Sequence, residues 1–127
     1  MAEAPEEARA WIARGGELGS DGFAIRHNPS AFVESLYVAG AVLVAIEKNM
    51  IVATLSSDAD ARARIIAIYN REVDAFGEEF GGEDGPGHEM TRAEAEAIGH
   101  PEAEGEWVVD DLHISDSGQT RIRFWWD

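Results

Sequence analysis

The chain contains no cysteine, which excludes disulfides, thiolate metal ligands and a cysteine nucleophile. That composition suits a reducing compartment, so the cytoplasm is the expected location. Lysine is almost missing: Lys48 is the only one, and the remaining cations are arginines. Long apolar runs are missing too. The longest, Val38 to Ile46, is far too short to span a bilayer. The N-terminus carries Glu3, Glu6 and Glu7 where a secretory signal wants basic residues, so no signal peptide is expected. There is no Walker-type loop, no Gly-x-Gly-x-x-Gly, no Gly-x-Ser-x-Gly elbow and no zincin motif. Nucleotide enzymes and hydrolases with local signatures are therefore disfavoured.

Acid is abundant. The 127 residues hold 25 Asp and Glu against 10 Lys and Arg, a formal net charge of -15. Nucleic acid and anionic membrane surfaces would repel such a chain, so neither is expected as a partner. A basic protein, a cation, or solubility alone remain compatible with it. With 45% hydrophobic residues the chain has enough apolar content for a folded core. Its length fits one domain, residues 1–127.

The stretch from Trp107 to Trp126 reads as the organising element. Two β-rich runs flank Asp116-Ser117-Gly118, which fits a hairpin with a three-residue loop. Pairing Ser115 with Gln119 gathers Val108, Leu112, Ile114, Ile122, Phe124 and Trp126 on one face. Asp111 and His113 then fall on the other face, near Arg123 and Arg121. Asp110 alone sits on the wrong side, opposite Phe124.

Upstream, Pro5 and the acids after it open a helix over residues 5–14, and a loop reaches Gly22. Phe23 to His27 alternates like a short strand. Asn28-Pro29 starts a helix that Gly40 closes. Val42–Glu47 and Met50–Leu55 read as strands joined at Lys48-Asn49. Ser56-Ser57-Asp58 caps the longest helix, which runs to Phe76 or Phe80. Ile65, Tyr69, Val73, Phe76 and Phe80 form its apolar stripe, with Glu72 mostly off it. Glycines and acids make residues 77–90 a flexible acidic loop. Thr91 and Glu94 form a capping box for a short helix that Gly99 and Pro101 stop.

The expected fold is α+β, a two-layer arrangement of helices on an antiparallel sheet. Its middle follows the ferredoxin-like β-α-β-β-α-β order, with an N-terminal helix and loop over 1–22 and an extra C-terminal hairpin strand.

Candidate sites follow from anomalies in this pattern. Asp110 on an apolar face needs a partner or a cation, unless a bulge turns it outward. With Asp111, His113 and His88 it makes a candidate polar site, because buried titratable groups cluster where chemistry occurs. His27 and His100 lack any tight ligand spacing, and the acids from Glu78 to Glu89 lack the EF-hand register. No metal and no cofactor are expected. Trp107, Val109 and Trp125 share the face opposite the core with Leu43 and Val52, a candidate interface. A lid formed by the helix bearing Trp11 is the alternative. Two functional readings result. One is a small acidic binding or regulatory protein with a basic partner, or one that forms a homodimer. The other is an enzyme or sensor built on the carboxylate–histidine site.

Overall fold

The computed structural model describes residues 29–47, 50–76, 85–110 and 112–125. They form an α+β arrangement of three α-helices and one five-stranded antiparallel sheet. Helix α1 spans Pro29–Ala39, and strands β1 (Leu43–Glu47) and β2 (Met50–Thr54) follow it. Helix α2 spans Ala59–Phe76, and β3 spans Gly87–Glu89. Helix α3 (Arg92–Ala97) and a 3-10 turn at Pro101–Ala103 lead to β4 (Trp107–Val109) and β5 (Arg121–Trp125).

Local chemistry sets the helix ends. The Gly40 and Ala41 amides donate back to the Tyr37 and Leu36 carbonyls, a Schellman closure of α1. Gly40 has φ +117, and a Cβ there would lie 2.6 Å from Ala61 Cβ. Glycine is thus required twice, for the turn and for the approach of α2. The Asp58 carboxylate accepts from the Ala61 amide at 2.9 Å and caps α2. The Thr91–Glu94 capping box forms in full at the start of α3.

The sheet order is β1-β2-β5-β3-β4. Partners opposite one another share a face. Val44, Ala53, Ile122, His88 and Val108 therefore make one row across all five strands. This row faces the helices. Ile51 and Phe124 lie beside it, fully buried, together with Leu36 and Ile65. Phe124 is the hub of this core. Phe32 meets its ring edge-on at 5.4 Å between centroids, and Tyr69 lies at 5.6 Å.

Four expectations need correction. First, the run from Trp107 to Trp126 is not a hairpin. β4 pairs with β3, and β5 lies between β2 and β3. The turn itself forms, with Gly118 at φ +84. However, the segment before it is tied to α2 instead of to β5. The Asn70 amide donates to the Ile114 carbonyl at 2.9 Å and accepts from the Ile114 amide at 2.8 Å. Leu112, expected in the core, is 78% exposed as a result. Second, the ferredoxin-like pattern holds only at the level of an α+β chain with an antiparallel sheet. The inner neighbour of β2 is β5. Third, residues 77–90 are not loop throughout, because β3 occupies Gly87–Glu89. Gly87 marks a close strand approach there, since a Cβ would collide with the Val108 carbonyl. Fourth, Glu72, expected off the apolar stripe, is buried. The helix over 5–14, the strand over 23–27, the turn at Lys48-Asn49, Phe80 and Trp126 lie outside the described residues. Among the described residues no helix is long and apolar enough to cross a membrane.

A buried histidine between two carboxylates

His88 occupies the one polar position in the core-facing row, between Ile122 and Val108. It is 6% exposed. A bare imidazole there would be costly, and the surrounding elements supply partners. Asp110 lies two residues past Val108 and continues on the same face. Its Oδ2 stands 2.6 Å from His88 Nδ1. On the other side of the ring, both carboxylate oxygens of Glu94 stand 3.0 Å from His88 Nε2.

Each carboxylate is anchored by separate chemistry. The Asp110 amide donates to the Pro86 carbonyl at 2.8 Å, and the Asp110 carbonyl accepts from the Tyr69 hydroxyl at 2.8 Å. Glu94 is fixed by its capping box, accepting from the Thr91 amide at 3.0 Å. The site thus joins β3, the end of β4, α3 and α2.

The geometry favours one protonation state. Ionised carboxylates only accept, so with both ionised each ring nitrogen donates, which favours an imidazolium. Its pKa is raised from the ordinary histidine value. The hydrogen bond to Asp110 is the main cause; burial opposes it, and Glu94 adds to it. For Glu94, burial pushes the pKa up. The Thr91 amide, His88 and the Thr91 hydroxyl outweigh it and hold the carboxyl below its ordinary value.

This arrangement constrains the chemistry. An imidazolium with both N–H groups engaged offers no lone pair to a metal or to a substrate proton. Asp110 and Glu94 lie on opposite ring nitrogens and do not converge on one point. Among the described residues no group of three His, Asp or Glu could hold a metal ion.

The other sequence candidates disperse. His113 lies on the surface and pairs with Asp74 at 2.6 Å, apart from His88. His100 pairs with Glu102 at 3.1 Å, also exposed. Asp111, His27 and Glu78 to Asp84 lie outside the described residues. Glu89, the last acid of the expected loop, pairs with Arg121.

The aromatic candidates do share the sheet face opposite the helices. Trp107 is half-buried there, with the Arg121 and Arg123 guanidiniums 5.5 and 5.0 Å from its ring centroid. Trp125 is half-buried, Val109 and Leu43 are exposed, and Val52 is buried between Ala45 and Arg123. Arg123 donates to the Gly85 carbonyl at 2.8 Å and is buried. The interior of this face is therefore built of stacked arginine and tryptophan as well as aliphatic side chains.

Glu94 and Tyr69 were missed as site residues. Both were legible locally, Glu94 as half of a capping box and Tyr69 as part of a helical stripe. Their second role depends on distance in space, for which the sequence holds no signal. The chain thus belongs to the α+β class, with a histidine clamped between two carboxylates on its core-facing side. Comparison with protein-family models, with curated proteins and with solved structures gave no match for this chain.

Proposed function

We propose that this chain is an acidic binding or regulatory module whose partner is a basic protein. One observation carries the reading: acid is concentrated on the lobe that connects β3 to β4. Residues 91–106 hold Glu94, Glu96, Glu102, Glu104 and Glu106 against Arg92 alone among Arg and Lys. Glu96, Glu102, Glu104 and Glu106 are exposed, and Ile98 lies among them 56% exposed. An exposed apolar side chain on an acid-rich lobe has the mixed character of a protein interface. A charge of -15 on each copy opposes self-association, so a basic partner is favoured over a second copy. The cysteine-free composition fits an encounter in the cytoplasm.

The enzyme reading draws less support, because His88 is the one buried histidine among the described residues and both its nitrogens are engaged.

The test is a binding comparison. The tagged chain is used to capture a partner, and the affinity of that purified partner is then measured for two variants of equal charge. One variant carries Glu96→Gln, Glu102→Gln, Glu104→Gln and Glu106→Gln. The other carries Glu3→Gln, Glu6→Gln, Glu7→Gln and Glu34→Gln. The reading expects at least about a tenfold loss for the first, with a weakened salt dependence, and a much smaller loss for the second. Equal losses in the two variants would reduce the effect to net charge and end the assignment to this lobe.

A further inference from the structure

We propose that the proton on His88 is a latch that holds the acidic lobe, residues 91–106, against the sheet, and that losing it releases α3. The inference concerns the fold's response to pH. It stands whether or not the lobe binds a partner.

The latch follows from which contacts tie the lobe down. At its base, the Met90 amide donates to the Glu106 carbonyl at 2.7 Å, and the Gly105 amide donates to the Met90 carbonyl at 3.0 Å. These bonds extend the β3–β4 ladder and belong to the sheet. Farther out, Ala95 and Ala103 are buried, but each offers only a methyl group. Among the described residues, the polar tie between α3 and the sheet is the contact of Glu94 with His88 Nε2. Helix α3 has six residues, too few to persist in water unsupported.

The groups facing the ring are few. Asp110 approaches from the end of β4 and Glu94 from α3, while the Tyr69 hydroxyl of α2 donates to the Asp110 carbonyl. Glu89, Arg121 and Arg123 belong to the opposite face of the sheet, as the register shows. Neutral imidazole has one N–H, so deprotonation turns a lone pair towards one of the two carboxylates. Asp110 is the shorter contact, and its backbone is held at both ends, by Pro86 and by Tyr69. The remaining proton therefore stays on Nδ1. The lone pair falls on Nε2, facing Glu94. Glu94 is the more exposed carboxylate, 37% against 17% for Asp110, and it sits on the smaller element. It moves, and its capping box carries α3 along.

The sign is fixed. His88 binds its proton more tightly in the folded lobe than in the open one, so closure is favoured below its raised pKa for as long as Glu94 stays ionised, and is lost as pH rises through that pKa.

The test uses the full chain and two readouts. Long-range nitrogen–proton NMR of the imidazole rings reports the protonation of His88. Amide exchange, corrected for its intrinsic pH dependence, reports opening at Ala95, Ile98 and His100, whose amides are bonded within the lobe. His88 should keep two ring protons to a higher pH than an ordinary histidine. As it titrates, lobe exchange should speed up by at least about tenfold, the lower end of what losing a charge-assisted hydrogen bond removes. The amides of Ile122 and Phe124 in β5 should not respond. Glu94→Gln keeps a capping side chain and removes the charge, so His88 should titrate at lower pH; the glutamine amide can donate to the freed Nε2 lone pair, so lobe exchange should respond less to that titration. Three results would overturn the latch. One is a His88 that loses its second ring proton at or below the ordinary histidine value. Another is lobe protection that stays constant while His88 titrates. The last is β5 and lobe amides opening together, which would mean global unfolding.

Discussion

Replacing Asn70 tests why the segment before β5 is not a strand. The Asn70 amide satisfies both backbone groups of Ile114, with bonds of 2.9 and 2.8 Å. Asn70→Ala removes both. Each bond is worth about 1 kcal/mol net, and stranding a partly buried N–H and C=O adds about another 1 kcal/mol in total. Alanine returns about 0.6 kcal/mol through its better helix propensity in α2. The net loss is therefore about 2 kcal/mol, or ~8 °C in midpoint for a chain of this size. Asn70→Asp should cost at least as much. It keeps an acceptor for the Ile114 amide but sets a carboxylate against the Ile114 carbonyl. Asp74→Asn, one turn further along α2, touches only the exposed pair with His113 and should cost under about 1 kcal/mol. Urea titrations at constant m-value give these differences, and amide exchange at Ile114 gives the local effect. If Asn70→Ala cost less than about 0.5 kcal/mol, or if Ile114 exchanged at the wild-type rate, the side-chain clamp would not be what holds this segment.

Gly40→Ala should lose about 3 kcal/mol by denaturant titration, because it combines a left-handed φ with a clash at Ala61. Adding Ala61→Gly should not recover the wild-type stability, since the φ strain remains. Gly87→Ala should separate β3 from β4, visible as lost protection of the Asp110 amide, which bonds to Pro86. On the acid side, Glu94 and Asp116 have lowered folded-state pKa values. Their contributions are present above the ordinary carboxylate range and vanish as pH falls through the lowered values. A thermal midpoint that fell between pH 5 and pH 3 less in Glu94→Gln than in the parent would bear this out. His88→Leu should destabilise by about 3 kcal/mol, and His88→Leu with Asp110→Ala should recover part of that loss, as a double-mutant cycle would show.

Elements with local causes were legible in the sequence. Gly40, Asp58 and the Thr91–Glu94 box act on groups within four residues, and the helices begin and end where those residues require. The two-strand unit of β1 and β2 followed from adjacent apolar runs. The hairpin expectation failed because alternation says which residues share a face, not which strand lies alongside. Val108, Ile122 and Phe124 do face the helices and Trp107 and Trp125 do not, although β4 and β5 never pair. What the pattern could not contain was Asn70 reaching 44 residues to Ile114, or Arg62 holding Asp116 at 2.9 Å and the Gln119 carbonyl at 2.8 Å. Those side-chain bonds take the backbone partners that a hairpin would have used. Strand β3 was hidden by its glycine, which reads as loop but is needed where the Val108 carbonyl comes close.

The misplaced carboxylate was the informative residue. Asp110 continues an apolar row, and a charge in such a row persists only with a counter-charge. The counter-charge had to come from another element, because no cation within the expected hairpin faced that side. His88 lay 22 residues away in a stretch that reads as loop, and it enters the same row from β3. One carboxylate would have sufficed to neutralise an imidazolium. The second, Glu94, leaves the cluster with net negative charge and makes the ring's proton indispensable. A purely structural ion pair in this row could have used arginine, which no physiological pH neutralises. The residue present is the one side chain whose unperturbed charge changes in the range where cells operate, and it contacts a lobe that carries five glutamates against one arginine.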